Sequence, residues 1–234
     1  MTNDRLWFWN ICKKNNFDIS EKQLELLDAY AASLLAWNSK INLISRRDEM
    51  NVWSRHILGS IGFLFKYRIK TPSEIVDVGT GGGLPGVPLA ILLPACRLTL
   101  VDSVQKKLVA LREILSHLDI ANVQVTCGRA EDLSRSGSLY HAFDYVIARA
   151  VAPIKDVVKW SAGFLKPVSA ASNAGENALD PGAILLLKGG ELTDELNHVR
   201  VKLNPRVLHS HSLSIEGFDS SSDLFDKKLV VVYP

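Results

Sequence analysis

The residues best suited to chemistry gather in one run, Asp77-Val-Gly-Thr-Gly-Gly-Gly-Leu-Pro-Gly86. It follows an apolar stretch of strand length and precedes a segment whose early prolines suit the first turn of a helix. Gly79, Gly81 and Gly83 let the backbone turn sharply and let a ligand approach it closely. Gly81, Gly83 and Gly86 also satisfy G-x-G-x-x-G, so a nicotinamide or flavin dinucleotide competes for this loop, and alone that pattern is weak. The acid before the glycines separates the two. A carboxylate at a strand tip suits a cofactor carrying an ammonium and a sulfonium, and it repels a pyrophosphate. The other use of Asp77 is to cap the turn that follows.

Further candidates recur at the ends of later apolar runs. Asp102 closes Leu98-Thr-Leu-Val-Asp-Ser103, where a carboxylate can accept both hydroxyls of an adenosine ribose or cap the next helix. Gly128-Arg-Ala-Glu-Asp132 follows the third run, although taken alone Arg-Ala-Glu is a common surface tripeptide. Ala148-Arg-Ala150 ends the fourth and Lys188-Gly-Gly190 the fifth, in the layer where open parallel sheets bind ligands.

Those positions need elements to hold them. Ser20-Glu-Lys-Gln23 has the spacing of a capping box, and Leu24, Leu27, Ala31, Leu34 and Leu35 recur at helical spacing behind it. A second helix is expected over about 52–67. After Thr71-Pro72, apolar runs appear at Ile75–Val78, Leu98–Val101, Val123–Thr126, Phe143–Ala148, Ile184–Leu187 and Leu229–Tyr233. Helix-length segments separate most of them, which implies crossovers and a parallel sheet. A shorter connection containing Ser212–Leu224 precedes the last run and allows the final two to pair antiparallel. Lys166–Gly182, rich in Ser, Ala, Asn, Gly and Pro, reads as a mobile surface loop.

Composition narrows the class. With 47% hydrophobic and 22% charged residues the chain is too apolar for disorder. The net charge of +2 hides an asymmetry: residues 1–70 hold 11 Lys/Arg against 7 Asp/Glu, leaving 16 against 18 in the rest. Within 40–70 there are 7 basic residues against Asp48 and Glu49, a pattern that serves either a solvated helical face or a phosphate-docking surface. Cys12, Cys96 and Cys127 lack metal or disulfide spacing, so no metal site is expected and a reducing cytoplasm fits. The longest apolar stretch, Leu84–Cys96, is broken by prolines and too short to span a bilayer.

Taken in order, Trp37-Asn-Ser-Lys-Ile-Asn-Leu43, Arg55-His56, the glycine run, Leu100-Val-Asp-Ser103, Arg129-Ala-Glu131, Arg149-Ala150 and Lys188-Gly189 resemble the 16S ribosomal RNA guanine-N7 methyltransferases, the glucose-inhibited division protein B family. The resemblance runs from about residue 24 to 190. It implies an α/β fold, the Rossmann-like S-adenosylmethionine-dependent methyltransferase fold. That is a mostly parallel seven-stranded sheet with helices on both faces, here residues 71–234, behind an N-terminal helical region at 1–70. It also implies that Gly79, Leu84, Ala130, Glu131 and Arg149 contact S-adenosylmethionine, that Asp102 holds its ribose, and that a guanine in small-subunit rRNA is the acceptor. Asp77, Gly81 and Gly83 join the expected cofactor site. Arg149 is expected to orient cofactor or guanine, and Asn38, Lys40, Arg46, Arg47, Arg55, His56 and Lys188 to hold RNA. Two features depart from the family pattern: Gly59 stands where Asp is usual, and 166–182 is longer than the family's turn. Methylation of another RNA or of a small molecule, nicotinamide-dependent oxidation and non-catalytic RNA binding are the competing readings.

Overall fold

The computed structural model describes residues 3–167, 177–218 and 226–234. Two helices open the chain, α1 (Asn3–Lys14) and α2 (Glu21–Asn38). The capping box forms as expected: Ser20 Oγ accepts from the Gln23 amide while Gln23 reaches back to the Ser20 amide. The helix expected over 52–67 does not form as one piece. A 3-10 turn (Arg46–Asn51), a π-helix (Val52–Leu58), the single α-turn α3 (Gly59–Ile61) and a second 3-10 turn (Gly62–Phe65) follow each other instead. Gly59 and Gly62 are weak helix formers, and the carbonyls of Arg55 and His56 are drawn into bonds with a side chain from the sheet.

Strands then alternate with helices: β1 (Arg68–Ile69), β2 (Glu74–Val78), α4 (Gly86–Leu92), β3 (Arg97–Asp102), α5 (Gln105–Ser116), β4 (Val123–Cys127), α6 (Ala130–Leu133), β5 (Tyr145–Arg149), α7 (Ile154–Ser161), β6 (Ala178–Leu179), β7 (Ala183–Gly189), α8 (Thr193–Leu203), β8 (Val207–Ser212) and β9 (Lys227–Tyr233). Seven of these strands form one sheet in the order β4-β3-β2-β5-β7-β9-β8. The first five are parallel, and β9 lies antiparallel between β7 and β8. All six expected runs are strands. β8 went unread because Val-Leu-His-Ser-His-Ser alternates weakly and lies at the sheet edge. β1 and β6 pair separately. Of the expected 166–182 loop, residues 168–176 lie outside the described residues, as do 219–225 of the later connection.

Alternation along the buried strands sends neighbouring side chains to opposite faces, so two cores form. Ile75, Leu98, Leu100, Ile147, Leu185 and Val231 meet one face, and Val76, Val101, Val146, Ile184, Leu186 and Val230 the other. Phe8, Leu24, Leu27, Tyr30, Leu34 and Ile57 belong to the first of these cores. The N-terminal region therefore packs on the sheet and its connecting helices.

Candidate active site

Strand order reverses between β2 and β5, and chain connections leave that seam in opposite directions. In open α/β sheets such a seam opens a crevice at the carboxyl ends of the strands. A cleft of about 360 Å³ lies there, lined by the ends of β2, β3 and β5, the start of α6, and Lys107, Val151 and Trp160.

Gly79, the first glycine of the run, lines the cleft. It sits at φ +71°, and a Cβ there would come 2.6 Å from Val151 Cγ2, so both conformation and space require glycine. Gly81 also has positive φ, with nothing within 4 Å of its Cβ direction, so that side of the loop stands open. The back of the loop is clamped. A Cβ on Gly82 would meet Leu34 at 2.7 Å and Leu43 at 3.1 Å, and the Tyr30 hydroxyl donates to the Gly82 carbonyl at 2.9 Å.

The carboxylates divide their work. Asp102 accepts from Gly81 N at 2.9 Å through one oxygen and from Val104 N at 2.8 Å through the other. It thereby fixes the glycine loop against the β3–α5 turn while lining the cleft, and each oxygen keeps a lone pair for a further donor. Asp77 is fully buried and does not line the cleft. One of its oxygens takes the Thr80 hydroxyl at 2.6 Å and the Gly86 amide at 2.9 Å. The structure thus gives Asp77 the turn-capping use, which corrects the expectation that it faces the cofactor. Burial is the main cause pushing its carboxyl up to about 7.

Gly79, Asp102, Ala130, Glu131 and Arg149 share the cleft as expected. Gly81, Gly83 and Leu84 do not line it; Leu84 packs in the core behind the loop. Lys107, Val151 and Trp160 were missed. Lys107 and Trp160 lie on helices whose register toward the seam only the fold sets. Val151 was legible as the residue following Arg149-Ala150; Ala150 takes φ +52°, and Val151 lies across Gly79.

Arg149 is the junction of the molecule. Its guanidinium donates to the carbonyls of His56 at 2.9 Å and Arg55 at 2.8 Å and to Ser60 Oγ at 2.9 Å, and it meets His56 Nδ1 at 3.0 Å. These bonds turn the charged head toward the N-terminal segment, so the expected orienting role becomes that of a strut between β5 and that segment. Burial lowers its pKa to about 10, which still leaves it charged. A Cβ on Gly59 would stand 3.8 Å from the same guanidinium, an ordinary contact distance, so Gly59 borders the cation without being required there by space. His56 is buried, and burial followed by the Arg149 charge depresses it to about 4.

The expected RNA contacts separate by accessibility. Lys40, Arg46 and Arg47 are exposed, with Lys40 Nζ 4.5 Å from the centre of the Trp37 ring. Arg55 is half-buried and pairs with Asp48 at 3.1 Å. Three residues are spent internally, which corrects the expectation that they touch RNA. Asn38 is 1% exposed and accepts from the Leu43 and Ile44 amides. His56 is engaged by Arg149, and Lys188 donates to the Ala152 carbonyl at 3.0 Å and pairs with Glu195 at 3.2 Å. A polar side chain drawn under a turn gains bonds that solvent would otherwise supply.

The residues present fit S-adenosylmethionine. The cleft offers carboxylates at Asp102 and Glu131 for a ribose and a purine edge, apolar walls from Val78, Val101 and Trp160, and at Gly79 a surface that any Cβ would disrupt. The fold and this cleft together define an S-adenosylmethionine-dependent methyltransferase of the Rossmann-like class. Solved structures share the fold: a complex containing the Haloferax volcanii Trm112 methyltransferase activator gives a TM-score of 0.54 at 16% identity, covering 86% of this chain and 96% of that one. A mutant of MtNAS in complex with S-adenosylmethionine gives 0.51 at 15% identity over 86% and 71%. The family described as GidB, rRNA small subunit methyltransferase G, matches residues 23–220. The ribosomal RNA small subunit methyltransferase G of Chlorobium limicola is 35% identical over 96% of this chain and 94% of its own length. That of Bacteroides fragilis is 36% identical over 92% and 94%. The chain belongs to the rRNA small subunit methyltransferase G family.

Proposed function

We propose that this chain transfers the methyl group of S-adenosylmethionine to N7 of a guanine in bacterial small-subunit (16S) rRNA, in the cytoplasm. The observation that carries the reading is an acid-bearing cleft at the sheet's reversal seam, tied through Arg149 to a basic N-terminal segment. Family membership supports rRNA as the substrate. The cofactor supplies an electrophilic methyl on a sulfonium.

Asp102 is placed to accept ribose hydroxyls, and Glu131 and the Ala130 turn to meet the adenine. Gly79 gives the rest of the cofactor a surface free of side chain. Guanine N7 presents a lone pair and carries no proton, so its attack needs no base. The new N–C bond forms as the S–C bond breaks, leaving a thioether and a cationic methylguanine. His56 is held as a hydrogen-bonding partner of Arg149, which agrees with a reaction free of proton transfer. The chain's contribution is then alignment, an effect of up to roughly 7–11 kcal/mol in favourable cases.

The direct test is incubation with tritiated S-adenosylmethionine and unmethylated small subunits or 16S rRNA, followed by mapping of the label. Label on one guanine, lost as 7-methylguanine on hydrolysis, is the expected result. Label on an adenine, a pyrimidine or protein, or no transfer at all, rejects the reading.

A further inference from the structure

We infer that Lys227 binds a phosphodiester of the RNA substrate at the β7–β9 end of the sheet; the inference rests on the rRNA reading above. The cofactor cleft occupies the half of the carboxyl edge built by β2, β3 and the first residues after β4, with Arg149 at its border. Beyond Arg149 the same edge continues over β7 and β9. Because β9 is antiparallel to β7, its first residue rises at the edge where β7 ends, and Lys227 pairs with Gly189.

Three lysines stand at this edge, and two are committed. Lys188 is held by the Ala152 carbonyl and Glu195. Lys228 is held by the Gly190 carbonyl, with Asp226 at 3.8 Å. The Lys227 ammonium has no hydrogen bond or ion pair with the described residues. Its Nζ lies back over the end of β7, 3.4 Å from where a Cβ on Gly189 would be.

Its surroundings make that idleness costly. Lys227 is half-buried, and burial followed by the charges of Arg149 and Arg55 weakens its hold on the proton. The carboxylates that oppose this are Asp48 and Asp226. Asp48 already serves Arg55 at 3.1 Å and faces His56 Nε2 at 3.6 Å, and Asp226 accepts the Gly190 amide at 2.9 Å. A partly desolvated ammonium that feels the positive charges of Arg149 and Arg55 is a repulsive arrangement that an incoming anion relieves. An RNA backbone entering from the exposed Arg46 and Arg47 toward the cleft would bring that anion, and a phosphate accepts from point charges such as Lys without demanding a fixed geometry.

The test compares Lys227→Gln and Lys227→Arg with the wild type. The measurements are binding of unmethylated 16S rRNA across a potassium chloride series, S-adenosylmethionine affinity by calorimetry, and melting temperature. For Lys227→Gln, rRNA affinity should fall several-fold and the slope of log affinity against log salt should flatten by about 0.7–0.9, since one phosphate is no longer neutralised. S-adenosylmethionine affinity should be unchanged. The melting temperature should be no lower than that of the wild type, because a repulsive charge has been removed. Lys227→Arg should keep the slope. An unchanged slope in Lys227→Gln overturns the inference whatever the melting temperature does. Weakened cofactor binding with an unchanged slope also overturns it, by assigning the anion to the cofactor. A wild type that binds and methylates no rRNA defeats the underlying reading instead.

Discussion

Asp77 and His56 are buried within the same charged cluster, and burial shifts them in opposite senses. The Asp77 carboxyl is raised from 3.8 to about 7, mainly by desolvation and against the hydrogen bonds from Thr80 and Gly86. Between about pH 4 and 7 the native state therefore holds a proton that the unfolded chain has lost, so this group's contribution to stability declines as pH rises through that window. His56 is lowered from 6.5 to about 4, so its contribution is present above 6.5 and is lost as pH falls toward 4. The two slopes oppose each other over their shared range. Asp77→Asn keeps an acceptor for Thr80 and Gly86 and removes the titration. Measured by urea unfolding, this variant should gain stability relative to wild type as pH rises from 4 to 7, by at most about 1.4 kcal/mol per pH unit. A difference from wild type that stays constant across that range would refute the buried, proton-holding Asp77.

At the scale of elements, the glycine loop is shaped from behind by helix α2 as much as by its own glycines. Tyr30 and Leu34 lie four residues apart on one face of that helix, and both reach the loop. Burial raises the Tyr30 phenol well above its ordinary range, which keeps it a donor. Tyr30→Phe keeps the ring and leaves the Gly82 carbonyl without its donor, a change worth about 1–3 kcal/mol where the group stays buried. We expect that loss in urea unfolding together with several-fold weaker S-adenosylmethionine binding, measured well below the melting temperature. Unchanged cofactor affinity in a destabilised variant would mean that Tyr30 supports the core only. The π-helix at 52–58 has a comparable dependence on its neighbours: its Arg55 and His56 carbonyls face Arg149, consistent with the frequent location of such segments at functional sites.

Across the whole molecule, the N-terminal region and the sheet behave as one packed body, joined by a shared core and by the Arg149 strut. Arg46 and Arg47 project from this body on an exposed 3-10 turn and do not line the cofactor cleft. Neutralising both to Gln should leave S-adenosylmethionine affinity intact. The salt slope of rRNA binding should flatten by about 0.7–0.9 for each phosphate that the arginines no longer neutralise. Methyl transfer should then suffer through a raised KM for subunits, with kcat changed little. If slope and KM both match the wild type, these arginines are a solvated end and the docking surface lies elsewhere.

The sequence by itself determined six of the strands, the glycine loop and the family resemblance. Strand runs buried on both faces read as continuous apolar stretches, and Asp77 through Gly86 marks a strand-to-helix turn without help from distant residues. Asp102 was legible for the same reason, since its place at a strand end is a local property. Tertiary structure decided which polar side chains face solvent. Asn38, His56 and Lys188 look like RNA ligands by type and position, yet each is bound by groups 5 to 93 residues away in the chain. Asp77 has the residue type of a cofactor acid and is turned inward by an amide nine positions on. Lys227 was an ordinary strand lysine until the antiparallel register of β9 set it beside Gly189 and near Arg55 and Arg149. Local pattern fixes backbone conformation because its forces act within a few residues. Burial and charge at a site depend on which elements meet, and only the folded chain brings them together.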